Sequence, residues 1–69
     1  MTNVYRWIRD ALDLTQAEAG ARVGTSGNHW SRWERGERRP TVRVLVQAID
    51  RLRAEAAAAM ADKEKQKKA

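Results

Sequence analysis

Residues 14–36 read LTQAEAGARVGTSGNHWSRWERG, and this stretch decides the fold. Thr15 is followed three residues later by Glu18, which is the spacing of a capping box at the start of a helix. We therefore predict a short helix over about Gln16–Val23. Its inward positions are Ala19, Gly20 and Val23. Gly24 suits the left-handed position that ends such a helix, so a tight turn follows.

A second short helix with two different faces follows the turn. Ser26 can cap it, so we expect it to span about Gly27–Glu34. Trp30 and Trp33 lie three residues apart and predict its inner face. The other face carries polar side chains that can form hydrogen bonds: Asn28, His29, Ser31 and Arg32. Aromatic anchors behind and a polar edge in front are typical of a recognition helix in a DNA major groove.

This stretch resembles the helix-turn-helix of the lambda-repressor-like family, of the Cro/CI or XRE type. Many members open the first helix of the motif with Leu-Thr-Gln, turn at Gly, cap the second with Ser or Thr, and end it with Ile-Ser-x-Trp-Glu-x-Gly. With residues 1–49 included, the resemblance covers most of the chain. It implies an all-α, lambda-repressor-like DNA-binding domain. Many members end their fourth helix early and add a fifth, but the long fourth helix predicted below makes this a four-helix domain with an extended C-terminal helix.

Four positions depart from the family pattern. Ala19 stands where Leu is usual, and Gly20 stands where Ala is usual. Thr25 replaces an aliphatic residue, and Trp30 replaces Ile or Val. We interpret the volume lost at 19 and 20 and gained at 30 as one compensated repacking, because cores tolerate swaps that conserve total volume.

The resemblance also assigns the residues that contact bases. The family's positions and their neighbours map onto Gly27, Asn28, His29, Ser31 and Arg32. Gly27 has no side chain, so either its backbone approaches DNA closely or one base pair is read weakly. Asn28 suits adenine and Arg32 suits guanine, and each bidentate pair is worth ~1–3 kcal/mol of discrimination. His29 is either a donor to DNA or an idle exposed residue.

Other residues should give affinity without sequence information. The phosphate contacts that we expect are Gln16, Ser26, Arg35, Arg38 and Arg39. Gln16 lies where a helix N-terminus also offers backbone donors, although it is otherwise an ordinary first-turn residue. In the family an Arg late in the first helix pairs with the Glu that ends the recognition helix. By register this structural clamp is Arg9 with Glu34, and the alternative is two solvated side chains.

Helices are also predicted on both sides of the motif. Apolar residues at helical spacing indicate a first helix over Val4–Leu12, capped by Thr2 or Asn3. Thr41 follows a proline and can cap a further helix, and no Gly or Pro comes after it. Because alanine is the best helix former, we predict one long helix from Val42 to about Ala61. The core candidates are Trp7, Ile8, Leu12, Val23, Trp30, Trp33, Leu45 and Ile49; the start of the long helix should also bury Val42, Ala48 and Leu52.

The long helix carries a stripe with the spacing of a coiled-coil seam. Its members are Leu45, Ile49, Leu52, Ala56 and Ala59. We expect a homodimer whose interface uses Leu52, Ala56, Ala59 and Met60, with Val44 and Val46 as extra contacts. The alternative is a lone helix with a shallow alanine stripe. Residues 62–69 are rich in lysine and predict a basic disordered tail, so the domain should span residues 1–61.

Composition limits the functions open to the chain. A net charge of +5 and a pI near 10.5 favour a polyanionic partner. The 69 residues include no Cys and one His, so we expect no disulfide, no metal site, no cofactor, no small-molecule ligand and no enzymatic activity. An apolar run that could span a bilayer and a signal peptide are both missing, which predicts no membrane association and a cytoplasmic location.

The sequence favours a sequence-specific regulator of transcription whose partner is double-stranded DNA. Its simplest form is a homodimeric repressor on an inverted repeat, with recognition helices about 34 Å apart. An alternative is a protein-interaction adaptor or antitoxin that binds a partner through the alanine-rich helix. A third is non-specific coating of nucleic acid by the lysine tail. Small family members include phage or mobile-element regulators, antitoxin-type autorepressors, restriction–modification controllers and anti-CRISPR-associated repressors, and the sequence does not choose among them.

Overall fold

Four helices follow one another along the chain, joined by two short turns and one longer loop. The computed structural model describes residues 3–67, with side chains through residue 64. The helices are α1 (Val4–Leu12), α2 (Gln16–Arg22), α3 (Gly27–Glu34) and α4 (Arg43–Lys67). The predicted all-α, four-helix fold is confirmed. The bounds of α1 and α3 are those predicted, and α2 ends one residue earlier than predicted.

Side-chain caps begin the three short helices. Asn3 accepts a backbone N–H of α1 at 3.0 Å, while Thr2, the other candidate cap, lies outside the described residues. Thr15 Oγ1 accepts the Glu18 N–H at 3.1 Å, and Glu18 Oε1 accepts the Thr15 N–H at 2.9 Å, which completes the predicted capping box. Ser26 Oγ accepts a backbone N–H from the first turn of α3 at 3.4 Å. A side chain thus satisfies one of the unpaired backbone donors in the first turn of each of these helices.

Two glycines allow the turn between α2 and α3 to be tight. Gly24 has a φ of +87°, the left-handed conformation that the sequence predicts there. A Cβ on Gly20 would lie 2.5 Å from the carbonyl carbon and oxygen of Ser26. The space at position 20 is therefore filled by the backbone of the turn, which corrects our interpretation that the Trp30 ring compensates for it.

The core centres on three aromatic rings. The centroids of Trp30 and Trp33 are 5.5 Å apart, and Tyr5 lies 5.9 Å from the first ring and 5.8 Å from the second. Tyr5 was not among the predicted core residues. Aliphatic residues from α1, α2, α4 and the α2–α3 turn surround the rings. The buried residues are Ile8, Ala11, Ala19, Val23, Trp30, Trp33, Ile49, Leu52 and Ala56.

The orientation of α1 differs from the predicted one by a fraction of a turn. Ile8 and Ala11 are buried and Tyr5 packs beside them, so the inward stripe has i, i+3 and i+6 spacing. Trp7 and Leu12, both predicted as buried core, are half-buried at the edge. The rotation has a physical reason, because it brings the ring of Tyr5 onto the tryptophan pair.

The start of α4 lies later than predicted. The Val42 carbonyl accepts the first helical hydrogen bond, from Val46 N–H at 2.9 Å, so Thr41 is not the capping residue. Val42 and Val46 are both exposed, and Val42, predicted as buried, is 57% exposed. Leu45, another predicted core residue, is half-buried against the core. Full burial on α4 begins with Ile49.

The predicted dimer seam is partly used within the chain. Leu52 and Ala56 are buried against the other helices of the same molecule. They are therefore core residues and not dimer contacts, because α4 lies along α1 with this stripe inward. Ala59 and Met60 are half-buried, and Met60 also packs on the core.

The end of α4 lies beyond the predicted boundary near Ala61. The helix continues to Lys67, so residues 62–67 are helical rather than disordered. Lys, Glu and Gln are good helix formers, and a helix that already exists is extended at little cost. Lys63 Nζ also donates to the Ala11 carbonyl at 3.2 Å, which ties this segment to α1. Residues 68 and 69 of the predicted tail lie outside the described residues.

Candidate nucleic-acid interface

The two faces of α3 differ as the sequence predicts. Trp30 is fully buried and Trp33 nearly so, which fixes the rear of the helix in the core. Asn28 and Arg32 lie one turn apart on the exposed side. Neither side chain forms a hydrogen bond with another residue in the part of the chain that the structure describes. Their polar groups are consequently available to a ligand in front of α3.

His29 stands beside this pair and is held by the α2–α3 turn. Its Nδ1 lies 2.8 Å from Thr25 Oγ1 and 3.2 Å from Ser26 Oγ. A hydroxyl that donates to Nδ1 leaves the ring proton on Nε2, which makes Nε2 a donor. Thr25, one of the departures from the family pattern, therefore orients a candidate contact, and this role was not predicted.

Arg9 and Glu34 meet in the pair that the family register indicates. Arg9 donates from Nε to Glu34 Oε2 and from Nη2 to Oε1, the latter at 2.9 Å. Gln16 Nε2 adds a third hydrogen bond to Oε1 at 3.3 Å. Because these residues belong to α1, α2 and α3, one carboxylate joins three helices. Gln16, a predicted phosphate contact, keeps its second amide hydrogen for another acceptor.

Burial and hydrogen bonding act on the Glu34 carboxylate in opposite directions. Burial raises its pKa, while hydrogen bonds from Arg9 and Gln16 and the charge of Arg9 lower it. The favourable interactions win, so the pKa of Glu34 lies below its ordinary value. The indole N–H of Trp30 lies beside the same carboxylate and adds a weaker attraction, although its geometry falls short of a hydrogen bond.

Asn3 makes a second connection that the sequence analysis missed. While Oδ1 caps α1, Nδ2 donates to the carbonyls of Trp33 at 3.3 Å and of Glu34. One amide thus begins α1 and satisfies two acceptors at the end of α3. An asparagine before a helix signals the cap, but nothing in the sequence signals the partner of its NH₂ group.

The end of α3 and the loop after it carry the basic side chains. Arg38 and Arg39 are exposed and form no side-chain hydrogen bond within the described residues. Arg35 instead donates to Glu37 Oε2 and, at 2.8 Å, to Ser31 Oγ. Ser31, a predicted base contact, therefore accepts a hydrogen bond from Arg35. Arg35 is in turn paired with Glu37. The sequence predicts that the acids of this stretch can orient the arginines, but not which arginine Glu37 holds.

A family model described as a helix-turn-helix domain matches residues 6–61. The chain belongs to the helix-turn-helix domain family. No curated protein and no solved structure matches it significantly. Membership points to a DNA-binding regulator, in a family that is typically non-enzymatic.

Within the helix-turn-helix unit, formed by α2, the turn and α3, Gly27 has a structural task. A Cβ on Gly27 would lie 2.9 Å from both Cα and N of Ala17. Position 27 therefore faces α2, and a side chain there would push the two helices apart. This gives position 27 a packing role, while the predicted approach of its backbone to DNA stays a prediction.

The remaining predictions concern absent features. Among residues 3–67, no group of three or more His, Cys, Asp or Glu side chains could hold a metal ion. None of the helices in the same range has both the length and the hydropathy of a membrane-spanning segment.

Proposed function

We propose that this helix-turn-helix protein is a sequence-specific regulator of transcription that places α3 in the major groove of DNA. The observation that carries the proposal is the exposed pair Asn28 and Arg32, unoccupied on a helix whose rear is fixed by two buried tryptophans. An asparagine amide can pair with adenine and a guanidinium with guanine, both bidentately. A packed α3 fixes the backbone positions from which both side chains extend, which direct readout of bases requires.

Further contacts follow from what surrounds this pair. Nε2 of His29, which is a donor when a hydroxyl donates to Nδ1, would add a contact beside it, and Ser31 would join it when Arg35 turns away. The residues that would follow the phosphates are Gln16, Ser26, Arg35, Arg38 and Arg39. These groups would set affinity and register, while Asn28 and Arg32 would set the preferred sequence.

A homodimeric repressor is the simplest form of this regulator. A single α3 reads only a few base pairs, and a two-fold dimer doubles the site into an inverted repeat. Occupation of such an operator excludes the transcription machinery without any ligand-sensing domain. A protein with this function works where the DNA is, which agrees with the cytoplasmic location expected from the sequence.

The test is selection of preferred duplexes from a random library, followed by titration of single variants. Arg32→Ala and Asn28→Ala should each lose roughly 5- to 150-fold in affinity for the selected site, with little change on random DNA. Arg51→Ala is the charge-matched control, because Arg51 is exposed on α4 and outside the proposed interface. Unchanged discrimination in both variants would contradict the proposal and favour the adaptor alternative.

A further inference from the structure

The carboxylate of Glu37 lies at the basic end of α3, where it holds Arg35. Arg35 donates from Nε to Glu37 Oε2 and from Nη1 to Ser31 Oγ at 2.8 Å. The same guanidinium is one of the proposed phosphate contacts. A carboxylate therefore occupies a group that would otherwise bind a DNA phosphate, since guanidinium recognises both anions with the same geometry.

Glu37 is the exposed acidic residue near the end of α3 and the loop after it. Between Arg32 and Arg43 the sequence holds two acids, and Glu34 is turned toward Arg9 with 9% of its side chain exposed. The side chain of Glu37 is 53% exposed. The hydrogen bond from Arg35, and then the charges of Arg35 and Arg32, hold the pKa of Glu37 below its ordinary value. Glu37 consequently carries a negative charge at neutral pH on a surface that would face phosphates.

We propose that Glu37 withholds Arg35 from sequence-independent DNA binding and thereby sharpens discrimination between the operator and other DNA. The inference rests on the proposed function. On random DNA the phosphates are not held in register with α3. A contact between Arg35 and such a phosphate would be little stronger than the exposed ion pair with Glu37 that it replaces. A phosphate held in register by a docked α3 displaces the carboxylate, so that the contact forms at the operator.

The experiment measures binding of wild-type protein and Glu37→Gln to a random-sequence duplex over a range of salt concentrations. Releasing Arg35 should add one phosphate contact, which steepens the slope of log affinity against log salt by about 0.9. Glu37→Gln should therefore bind random duplex more tightly. This gain should shrink about three- to fourfold between about 50 and about 200 mM salt.

Glu55→Gln is the matched control. Glu55 pairs with Arg22 at 2.7 Å, its side chain is 52% exposed, and its loss changes the net charge by the same amount. Arg22 is not one of the proposed phosphate contacts, so the salt slope should stay that of the wild type. Exposed ion pairs contribute little to stability, so both variants should fold, as circular dichroism will show.

A second background separates release of Arg35 from simple repulsion of phosphates by Glu37. Arg35→Ala alone should weaken binding to random duplex, because it leaves the charge of Glu37 uncompensated beside the phosphates. In that background Glu37→Gln should remove this repulsion but should no longer steepen the salt slope, because no phosphate contact is released. A slope that steepens without Arg35, that Glu55→Gln also steepens, or that Glu37→Gln never steepens overturns the inference. Wild-type protein that binds neither random nor selected duplex would instead overturn the proposed function.

Discussion

Glu34 shows how one residue can hold the helix-turn-helix unit against the rest of the molecule. Its carboxylate accepts from Arg9 of α1 and Gln16 of α2 while the residue itself ends α3. The side chains of Glu34 and Arg9 are 9% and 19% exposed. In such a half-buried site, losing one partner leaves the other charge poorly compensated.

The Glu34 carboxylate should make stability depend on pH. Its pKa is lowered in the folded protein, so its contribution is fully present above the ordinary value of 4.5 and is lost as the pH falls through the lowered value. Glu34→Gln should cost about 2 kcal/mol of unfolding free energy at neutral pH, because a charged hydrogen bond is lost. Urea titrations should show that this gap in unfolding free energy between wild type and variant narrows as the pH falls below 4.5. A gap that stays constant would exclude the coupling.

Single residues also show what the sequence could and could not predict. The family register predicted that Arg9 and Glu34 form a pair, and the polar face of α3 predicted that Asn28 is exposed. The burial of Tyr5 was not predicted, and neither was the arginine that Glu37 holds, for a common reason. Their roles depend on which way α1 turns and on which arginine is within reach, and these are tertiary facts that local periodicity does not contain.

At the scale of helices, Asn3 couples the beginning of α1 to the end of α3. Its Oδ1 caps α1, and its Nδ2 donates to the last carbonyls of α3. The two tasks can be separated, because serine is as good a cap as asparagine but is too short to reach α3. The position of α3 relative to α1 thus depends on a side chain outside both helices.

Two substitutions at position 3 should divide these contributions. Asn3→Ser should cost about 1 kcal/mol for the lost connection to α3. Asn3→Ala should cost about 2 kcal/mol, because it also removes the cap. Chemical denaturation measures both values. Equal stability of Asn3→Ser and wild type would show that the bonds to the carbonyls of α3 contribute nothing.

Among the helices, α4 shows what the amino-acid composition can predict about a helix and what it cannot. Its alanines correctly predicted one continuous helix, and its lysines suggested a tail. Lysine is also favourable in the last turns of a helix, where the macrodipole favours positive charge. The bond from Lys63 to the Ala11 carbonyl is a long-range contact, and contacts of this kind decide where such a helix ends.

For the whole molecule, the distribution of exposed apolar side chains bears on the proposed dimer. Leu52 and Ala56, in the middle of the predicted dimer seam along α4, lie in the core and are not available to a second molecule. The exposed large hydrophobic residues of the described chain are Val4, Val42, Val44 and Val46. Three of the four lie at the start of α4, where Val44 points to the opposite side of the helix from Val46. The outer face farther along is mostly alanine, which buries little area.

We expect the dimer contact to use the start of α4, and Val44, which is 71% exposed, tests it. Val44→Glu should weaken dimerisation at least about tenfold, because it buries an unpaired charge in the interface. Helix propensity is not reduced by this change. Ala58→Glu places the same charge on the exposed C-terminal half of α4 and should leave dimerisation intact. Sedimentation equilibrium measures the dimerisation of both variants. If Ala58→Glu alone dissociates the dimer, the interface uses the alanine face instead. A wild-type protein that binds DNA as a monomer would refute the dimer.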